Sequence, residues 1–419
     1  MEEKFIHSVT LDKDLCKGCT NCVKRCPTEA IRVRDGKAVI TKERCIDCGE
    51  CIRVCPHHAK KAVVDPLDCI HDFKYSIALP APSLYGQFKK VNDINTILTA
   101  LKNIGFDDVF EVALAADAVS AQTFRMMNSG QLKLPAISSA CPAVLRLIRV
   151  RFPGLIPNVV PIKAPMEFAA IWARKRAMQK TGLSAEDIGC IFISPCPAKI
   201  TSVHSPLMTD RRTADAAVSI ADIYPLLLPA IREIRPEAIA EAGSIGIGWA
   251  TSGGECVGVR RPDYLAADGI EHVIPVLEAL EDERLSDVDF VELNACVGGC
   301  VGGVLTVESP FIAKGRIKRL TDRHELSLAE GVPLEDILWD SSLAFEPVMR
   351  LDDDISAAMT KLEKIRELED SFNGMDCGAC GAPNCRAMAE DIVNGSASED
   401  MCIYRMREKL QTLLGVEPR

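Results

Sequence analysis

Apolar and polar positions alternate along the middle of the chain in two different patterns. Short runs rich in apolar and β-branched residues occur at 74–83, 107–117, 188–199, 243–254 and 288–299. Between them, apolar residues recur at helical spacing in the longer segments 91–105, 164–179 and 221–236. Strand-like runs that alternate with helices predict mostly parallel sheets covered by helices. The pattern therefore predicts an α/β domain in the middle of the chain.

Length and charge narrow the class of protein. The chain has 419 residues, of which 47% are hydrophobic and 26% charged. A chain of this kind can bury sizeable cores and divide into roughly two to four domains. The formal net charge of −10 argues against nucleic-acid or anionic-membrane partners, because both bind clustered Lys and Arg. Neither an apolar run of about 18 residues nor an export signal is visible, so we expect a cytoplasmic protein without a membrane span.

Two cysteine runs near the N-terminus share one spacing. The chain has 19 cysteines, and without an export signal metal ligation explains them better than disulfides do. Both runs read C-x2-C-x2-C-x3-C-P, and their cysteines are Cys16, Cys19, Cys22 and Cys26, then Cys45, Cys48, Cys51 and Cys55. This is the bacterial ferredoxin spacing, in which the fourth cysteine of each run binds the cluster of the other run.

Carried over to this chain, the ferredoxin pattern predicts two 4Fe-4S clusters. One would be held by Cys16, Cys19, Cys22 and Cys55, and the other by Cys45, Cys48, Cys51 and Cys26. A pair of zinc knuckles is the alternative, since C-x2-C pairs also bind zinc, but two matched runs that end in proline favour iron. Residues 1–62 are therefore predicted to form a small α+β ferredoxin-like domain through which electrons enter.

A different cysteine pattern lies near the C-terminus. Its spacing is C-x2-C-x4-C-x16-C, and its members are Cys377, Cys380, Cys385 and Cys402. The preceding segment 357–372 has the periodicity of an amphipathic helix. The segment resembles the single-cluster domain of electron-transport Rnf subunits and acetyl-CoA-pathway proteins, which implies one further 4Fe-4S cluster in a domain at 356–419. Zinc stays open here, because four thiolates satisfy either metal.

Three central cysteines each follow a predicted strand. These are Cys141, Cys196 and Cys296, and Cys300 lies one short turn after the last of them. In parallel sheets, ligand sites form outside the carboxyl ends of the strands. Four thiolates at such ends are the number that a cubane cluster requires. The remaining cysteines, Cys69, Cys190 and Cys256, are better explained as small buried hydrophobes.

The segments around these four cysteines resemble the three active-site signatures of the iron-only (FeFe) hydrogenase family. They read SSACPAV at 138–144, SPCPAKITS at 194–202 and ELNACVGGCVGG at 292–303. The framework segments PAPSLYGQF, IKAPMEF and GWATSGG also match the family. The resemblance implies that 63–355 forms the family's H-cluster domain, with two lobes of mostly parallel sheet flanked by helices.

The resemblance also assigns roles to individual residues. Cys141, Cys196, Cys296 and Cys300 would hold a 4Fe-4S cubane, and Cys300 would bridge it to a two-iron subsite carrying carbonyl, cyanide and azadithiolate ligands. Lys199 would hydrogen-bond a cyanide ligand. Gly298 and Gly299 would let the backbone approach the cluster closely. The implied reaction is reversible oxidation of dihydrogen and reduction of protons.

Several positions of this chain depart from the catalytic members of the family. Ala140 stands where they carry a proton-relaying cysteine, and Ser202 stands in place of the next relay carboxylate. The family's paired glutamates fall near Gln122 and Thr123, and Asn294 occupies a position commonly held by Met. Loss of a general acid–base relay slows catalysis by on the order of 10²- to 10⁴-fold. We therefore expect slow turnover.

Three functional interpretations follow. The first is a slow hydrogenase of the family's sensory branch, which responds to hydrogen or redox state and signals through a phosphatase or kinase. The second is an ordinary bidirectional hydrogenase that exchanges electrons with a ferredoxin-like partner and moves protons through His204 or Glu292. The third is a non-catalytic iron–sulfur protein of electron transfer or cluster assembly. Both hydrogenase interpretations imply maturation proteins that supply the two-iron subsite.

Overall fold

The computed structural model describes residues 7–209, 211–325 and 334–415. Contacts divide the chain into two compact units. The central unit contains the described residues of 63–345, with the short stretches up to Ser8 and Ile46–Gly49. The terminal unit draws on both ends of the chain and contains Val9–Cys45, Glu50–Ala62 and the described residues from Glu346 onward.

Strands and helices alternate through most of the described chain. The strands are β1 Val9–Leu11, β2 Ile31–Arg34, β3 Lys37–Ile40, β4 Lys60–Ala62, β5 Tyr75–Pro80, β6 Asp108–Val109, β7 Ala136–Ile137, β8 Ile188–Ser194, β9 Ala216–Ser219, β10 Tyr264–Asp268 and β11 Phe290–Asn294. The α-helices are α1 Asn21–Lys24, α2 Glu50–Arg53, α3 Ile94–Asn103, α4 Val112–Asn128, α5 Pro142–Arg151, α6 Pro165–Thr181, α7 Pro197–His204, α8 Ile220–Glu233, α9 Ser244–Gly248, α10 Gly254–Val259, α11 Ile270–Glu281, α12 Pro310–Thr321, α13 Leu334–Ile337, α14 Ile355–Ser371, α15 Cys385–Val393 and α16 Ile403–Leu414. None of these described helices is long and apolar enough to cross a membrane.

Two parallel sheets form the central unit. One has the strand order β6-β5-β8-β9, and the other has the order β10-β11-β7. All neighbouring strands in both sheets are parallel. Strand β8 is buried along its whole length, which explains why its sequence is a continuous apolar run. Two parallel sheets flanked by helices confirm the predicted fold class.

The central unit has two hydrophobic cores. The larger core packs Phe192 of β8 against helices that include α3 and α6, and it contains Leu98 and Phe168. The second core packs Val291 of β11 with Leu147 of α5, together with residues of α11. The loops that follow the strands lie at the rims of these cores, where the cysteine-bearing turns are found.

Two segments with strand-like sequences form mainly helix instead. In 107–117 only Asp108 and Val109 pair as a strand, and helix α4 begins at Val112. Segment 243–254 contains the short helix α9 and a turn rather than a strand. Helix α4 is buried on nearly all sides along its first three turns, so its sequence carries no polar stripe. Periodicity alone cannot distinguish such a buried helix from a buried strand.

The terminal unit is built from small antiparallel pairs and helices. Strands β1 and β4 pair, and β2 and β3 form a hairpin. Their core contains Val23, Ile31 and Ala38 together with several cysteines of the two runs. Helices α14 and α15 pack around a second small core with Ile365 and Met388. Helix α14 covers most of the segment predicted as an amphipathic helix.

Candidate functional site

The central cysteines lie on turns at the carboxyl ends of strands. Cys141 follows β7 and Cys196 follows β8, and each immediately precedes a helix that begins with proline. Proline suits this first helical position because its fixed φ fits the helix and its missing N–H needs no partner. Cys296 and Cys300 lie on the turn after β11. Both sheets therefore contribute ligands to one place.

The charges of these cysteines interact within one small site. Burial, and then the charges of Cys300 and Cys141, raise the pKa of Cys196 to about 11. Burial also raises the pKa of Cys300, and Cys141 adds to the effect. All four thiolates act on the single amine of Lys199. The structure thus brings together the four cysteines that the sequence predicts as cubane ligands.

Lys199 places a buried cation beside these thiols. Its ammonium lies 3.7 Å from the Cys300 sulfur and donates to the carbonyl oxygen of Ala140 over 3.5 Å. Burial alone would lower the pKa of Lys199, but the surrounding thiolates raise it well above its usual value. A cation enclosed with four thiol ligands and one long hydrogen bond fits an anionic iron–sulfur group.

A small cavity adjoins this cluster of cysteines. Its polar lining consists of Lys199, Glu255, Glu292, Asn294 and Cys300. The rest of the lining is mostly apolar: Ala81, Pro82, Val112, Ala116, Ala140, Pro165, Met166, Phe192, Pro195, Trp249 and Ala250. Its volume of ≈ 50 Å³ exceeds the roughly 10–15 Å³ that one water molecule needs. The cavity can therefore hold a small polar or inorganic group next to Cys300.

Glu255 brings a buried carboxyl group into this cavity. The Ser138 hydroxyl donates to Glu255 Oε2 over 2.5 Å, and the Ala140 N–H donates to the same Ser138 oxygen over 3.1 Å. Burial, followed by the charge of Glu292, raises the pKa of Glu255 to about 8. Glu255 is therefore a proton-exchanging group with a pKa close to neutral, connected by hydrogen bonds to the backbone of Ala140.

Glu292 is the second buried carboxyl group of the cavity. It accepts the N–H groups of Gly253 and Cys256 at 2.9 and 3.1 Å and the Asn294 amide at 2.8 Å. Burial nevertheless raises its pKa, although these hydrogen bonds oppose the shift. Asn294 therefore both lines the cavity and holds Glu292 in place.

Other predicted proton-transfer positions point elsewhere. Ser202 accepts from the Arg146 guanidinium over 3.3 Å, and Thr123 donates to the carbonyl oxygen of Val119. Neither residue lines the cavity, and the same is true of Gln122 and His204. His204 instead pairs with Asp65 through a 2.8 Å contact. Sequence reasoning missed Glu255; the only available signal was a charged residue within the glycine-rich apolar stretch at 243–259.

The glycines after Cys296 have a structural reason of their own. Gly299 has φ +88°, and a Cβ there would lie 2.5 Å from the backbone nitrogen of Ser252. Gly298 has φ +83°, and its Cβ would approach Pro310 to 3.2 Å. Glycine is thus required by the protein's own turn. The predicted close approach of these two glycines to a cluster stays a prediction.

In the terminal unit, Cys16, Cys19, Cys22 and Cys55 are neighbours. Burial raises the pKa of Cys22, and the charges of the other three thiols add to the shift. Lys60 is only 2% exposed, and its amine has no hydrogen-bond partner among the described residues. A buried cation without a partner beside four thiols fits an anionic cluster. The second predicted set consists of Cys26, Cys45, Cys48 and Cys51, and its members are divided between the two units. A cluster held by this second set stays a prediction.

The C-terminal cysteines line one small cavity in the terminal unit. All four contribute to its wall: Cys377, Cys380, Cys385 and Cys402. Burial raises the pKa of Cys380, and the thiols of Cys377 and Cys402 add to the effect. The arrangement supplies four sulfur ligands, a set that suits either an iron–sulfur cluster or zinc.

Comparison with family models agrees with this geometry. Residues 74–261 match a model for the iron only hydrogenase large subunit, C-terminal domain. Residues 8–56 match a 4Fe-4S dicluster domain, and residues 373–404 match an Fe-S cluster family. These matches confirm the predicted resemblance and the iron–sulfur character of the chain.

Individual relatives are distant. Iron hydrogenase 1 of Clostridium pasteurianum is 26% identical over 168 residues, which cover 37% of this chain and 29% of that protein. The NADP-reducing hydrogenase subunit HndD of Solidesulfovibrio fructosivorans is 24% identical over 221 residues, covering 51% of this chain and 35% of that one. The chain thus spans about a third of the length of the curated relatives it matches.

A solved structure shares the fold. The apo FeFe-hydrogenase HydA1 of Chlamydomonas reinhardtii superimposes with a TM-score of 0.51 at 15% identity. The match covers 68% of this chain and 97% of that structure. At this identity the likeness shows the fold alone, and the chemistry of the site has to be argued from the residues described above.

Proposed function

Because this chain belongs to an FeFe-hydrogenase-like family with an N-terminal ferredoxin module, we propose that it oxidises dihydrogen and reduces protons reversibly at an H-cluster. The observation that carries the proposal is the buried Lys199 ammonium, which faces four cysteine sulfurs at the wall of a cavity. Burying an ammonium group is costly unless an anionic group lies beside it, and a thiolate-ligated cluster would be such a group.

The ligands follow from this placement. Cys141, Cys196, Cys296 and Cys300 would hold the cubane, and Cys300, which also lines the cavity, would hold the two-iron subsite. When bound, this group supplies the heterolytic cleavage of dihydrogen. Lys199 would orient the subsite by donating a charge-assisted hydrogen bond into the cavity.

Proton supply is the step in which this chain differs from the family's catalytic members. The methyl group of Ala140 cannot exchange a proton. Glu255 can, because its carboxyl group lines the same cavity and its pKa is raised to about 8. Its connection to Ala140 runs through the Ser138 hydroxyl and a backbone N–H rather than through an ionisable side chain. We expect this route to be slower than a direct thiol relay.

The slow turnover expected from the altered relay, together with the full set of predicted cluster cysteines, supports a role in sensing hydrogen or redox state. In this role the protein would report its state to a signalling phosphatase or kinase. Two ferredoxin-type sites and the C-terminal site would carry electrons to or from the central unit. The implied substrates are dihydrogen and protons, and maturation proteins would deliver the two-iron subsite.

An ordinary bidirectional hydrogenase that works with a ferredoxin-like partner is the second candidate. It is favoured by a specific observation: two buried carboxyl groups, Glu255 and Glu292, line the cavity. If these groups move protons efficiently, loss of the thiol at position 140 need not slow the reaction. Turnover rate separates the two candidates.

Infrared spectroscopy of the matured protein tests the proposal. The chain would be produced with maturation proteins and measured under argon and then under hydrogen, in the region where iron-bound carbonyl and cyanide absorb. Bands that shift reversibly with hydrogen support the proposal. If a control hydrogenase matured in parallel shows these bands and this chain lacks them, the protein is a non-catalytic iron–sulfur protein.

A further inference from the structure

Three charged residues join the two ends of the chain within the terminal unit. Arg32 Nε and Arg34 Nη2 of strand β2 both contact the same oxygen of Asp391 in helix α15, at 2.7 and 2.5 Å. All three side chains are largely buried, with exposures of 12%, 20% and 13%. Charge-assisted hydrogen bonds with this degree of burial are stronger than exposed ion pairs. They fix helix α15 against β2.

The C-terminal cysteine loop touches the same strand through its backbone. The N–H of Val33 donates to the carbonyl oxygen of Gly381 over 2.8 Å. Arg34 Nη1 donates to the carbonyl oxygen of Cys380 over 3.3 Å. Gly381 has φ +82°, and a Cβ there would lie 2.1 Å from the Val33 oxygen, so only glycine permits this approach.

The opposite side of the same hairpin contacts the first ferredoxin-type site. Val33 on β2 faces Ala38 on β3 in the antiparallel register. The N–H of Ala38 points away from Val33 and donates to the Cys16 sulfur over 3.4 Å. The Cys380–Gly381 loop and Cys16 therefore lie on opposite edges of one two-stranded ribbon, whose strands are about 4.8 Å apart.

We propose that Arg32, Arg34 and Asp391 are positioning residues that hold the C-terminal cysteine site within direct electron-exchange distance of the site formed by Cys16, Cys19, Cys22 and Cys55. One electron passes across the β2–β3 hairpin, so that one site is oxidised as the other is reduced. The inference rests on the iron–sulfur content in the proposed function, and it does not require an H-cluster.

The charges of this contact also set the ease of reduction of the C-terminal site. Arg34 adds a cation at the Cys380 carbonyl group, which stabilises the reduced, more negative state. Asp391 partly neutralises that cation. Arg34→Gln, which keeps the Arg32–Asp391 pair, should therefore lower the midpoint potential of the C-terminal site.

Electron paramagnetic resonance of the fully reduced chain, produced without maturation proteins and measured without hydrogen, tests the inference. The spectrum of the parent is compared with that of Cys402→Ser, and the difference between the two spectra reports the spin–spin interaction due to the C-terminal site. We expect Asp391→Asn to lose most of this difference while retaining the iron and sulfide of the parent. Glu369→Gln is the matched control, because its ion pair with Arg386 lies wholly between α14 and α15.

Each result decides the matter. A parent whose spectrum is the sum of Cys402→Ser and an isolated C-terminal signal overturns the proposal, as does zinc in the C-terminal site. An Asp391→Asn spectrum identical to that of Glu369→Gln overturns it too. Should Asp391→Asn lose iron, the midpoint potential of Arg34→Gln decides, because this variant keeps the Arg32–Asp391 pair. A lowered potential supports the proposal, and an unchanged potential overturns it. Because hydrogen and the two-iron subsite are absent, failure of the infrared test leaves this result unaffected.

Discussion

The ammonium of Lys199 lies 3.7 Å from the sulfur of Cys300, although 101 positions separate the two residues in sequence. Lys199 lies in the first turn of helix α7, which follows β8, and Cys300 lies on the turn after β11. The two sheets of the central unit therefore meet at this contact. The pair connects the four cysteines predicted as cubane ligands to the cavity, and Lys199 is the buried cation among them.

Lys199→Met should prevent stable binding of the two-iron subsite. The variant removes the buried cation and leaves the anionic ligands uncompensated, a change of the kind that costs about 3–5 kcal/mol in buried pairs. We expect the carbonyl and cyanide bands to be absent or much weaker after maturation, with cubane iron retained. Lys163→Met, which removes another buried lysine of the central unit, is the control. Equal loss of bands in both variants would point to general destabilisation.

Glu255→Gln should slow hydrogen turnover and remove its dependence on pH near 8. Gln keeps the shape and the hydrogen bond from Ser138 but cannot exchange a proton. If Glu255 is the main route, the rate should fall by on the order of 10²- to 10⁴-fold. Glu167→Gln is the control, since Glu167 is an equally buried glutamate outside the cavity. An unchanged rate profile would exclude Glu255 from proton transfer.

The same carboxyl group should make folding stability depend on pH. Its pKa rises from 4.5 to about 8 on folding, so the folded chain binds the extra proton between these values. Stability should therefore fall as pH rises through this window. Of the groups that face it, Glu292 adds to the upward pKa shift, whereas Ser138 and Lys199 oppose it. Chemical denaturation at pH 5 and pH 8 should show a smaller difference for Glu255→Gln than for the parent.

Ala140→Cys should speed turnover. The residue lines the cavity beside Lys199, so a thiol there would add the ionisable group that the parent lacks. We expect the rate of hydrogen evolution to rise by on the order of 10²-fold. Ala116→Cys places a thiol elsewhere on the cavity wall and serves as the control. A variant no faster than the parent would mean that the thiol is not what limits the rate.

Lys60→Met should lower the midpoint potential of the first ferredoxin-type site. Lys60 is buried near Cys22, and its charge favours the more negative, reduced cluster. Lys61→Met is a close control, because the neighbouring side chain is half exposed and pairs with Asp12 instead. Redox titration of the two variants should show a shift only for Lys60→Met; equal potentials would contradict the assignment of Lys60 to this cluster.

The cysteine-bearing turns can be located from the sequence because they depend on local motifs. Cys141 and Cys196 each precede a proline that begins a helix, and this arrangement can be recognised within a few residues. The parallel sheets can also be predicted from the sequence, because buried strands such as β8 are continuous apolar runs. Helix α4 cannot, because it is buried on nearly all sides and lacks the polar stripe of an amphipathic helix.

The polar residues of the cavity were harder to predict because they depend on distant contacts. Ser138 and Glu255 are 117 positions apart, and no motif links them. Ser202 was chosen from its motif position, yet its side chain contacts Arg146 rather than the cavity. Spacing predicts which backbone segments carry the candidate cysteine ligands, whereas the direction of each polar side chain is set by packing between both sheets.

The contact between Arg32 and Asp391 spans 359 positions of sequence, and this separation has a consequence for biosynthesis. At a synthesis rate of roughly 5–20 residues per second, roughly 20–70 s pass between the synthesis of strand β2 and that of helix α15. Throughout that interval the N–H of Val33 and both guanidinium groups lack the partners that the C-terminal segment supplies. The N-terminal cysteines thus become available to cellular iron delivery well before the terminal unit can close. Translation therefore separates synthesis of the N-terminal cysteines from closure of the terminal unit by helix α15.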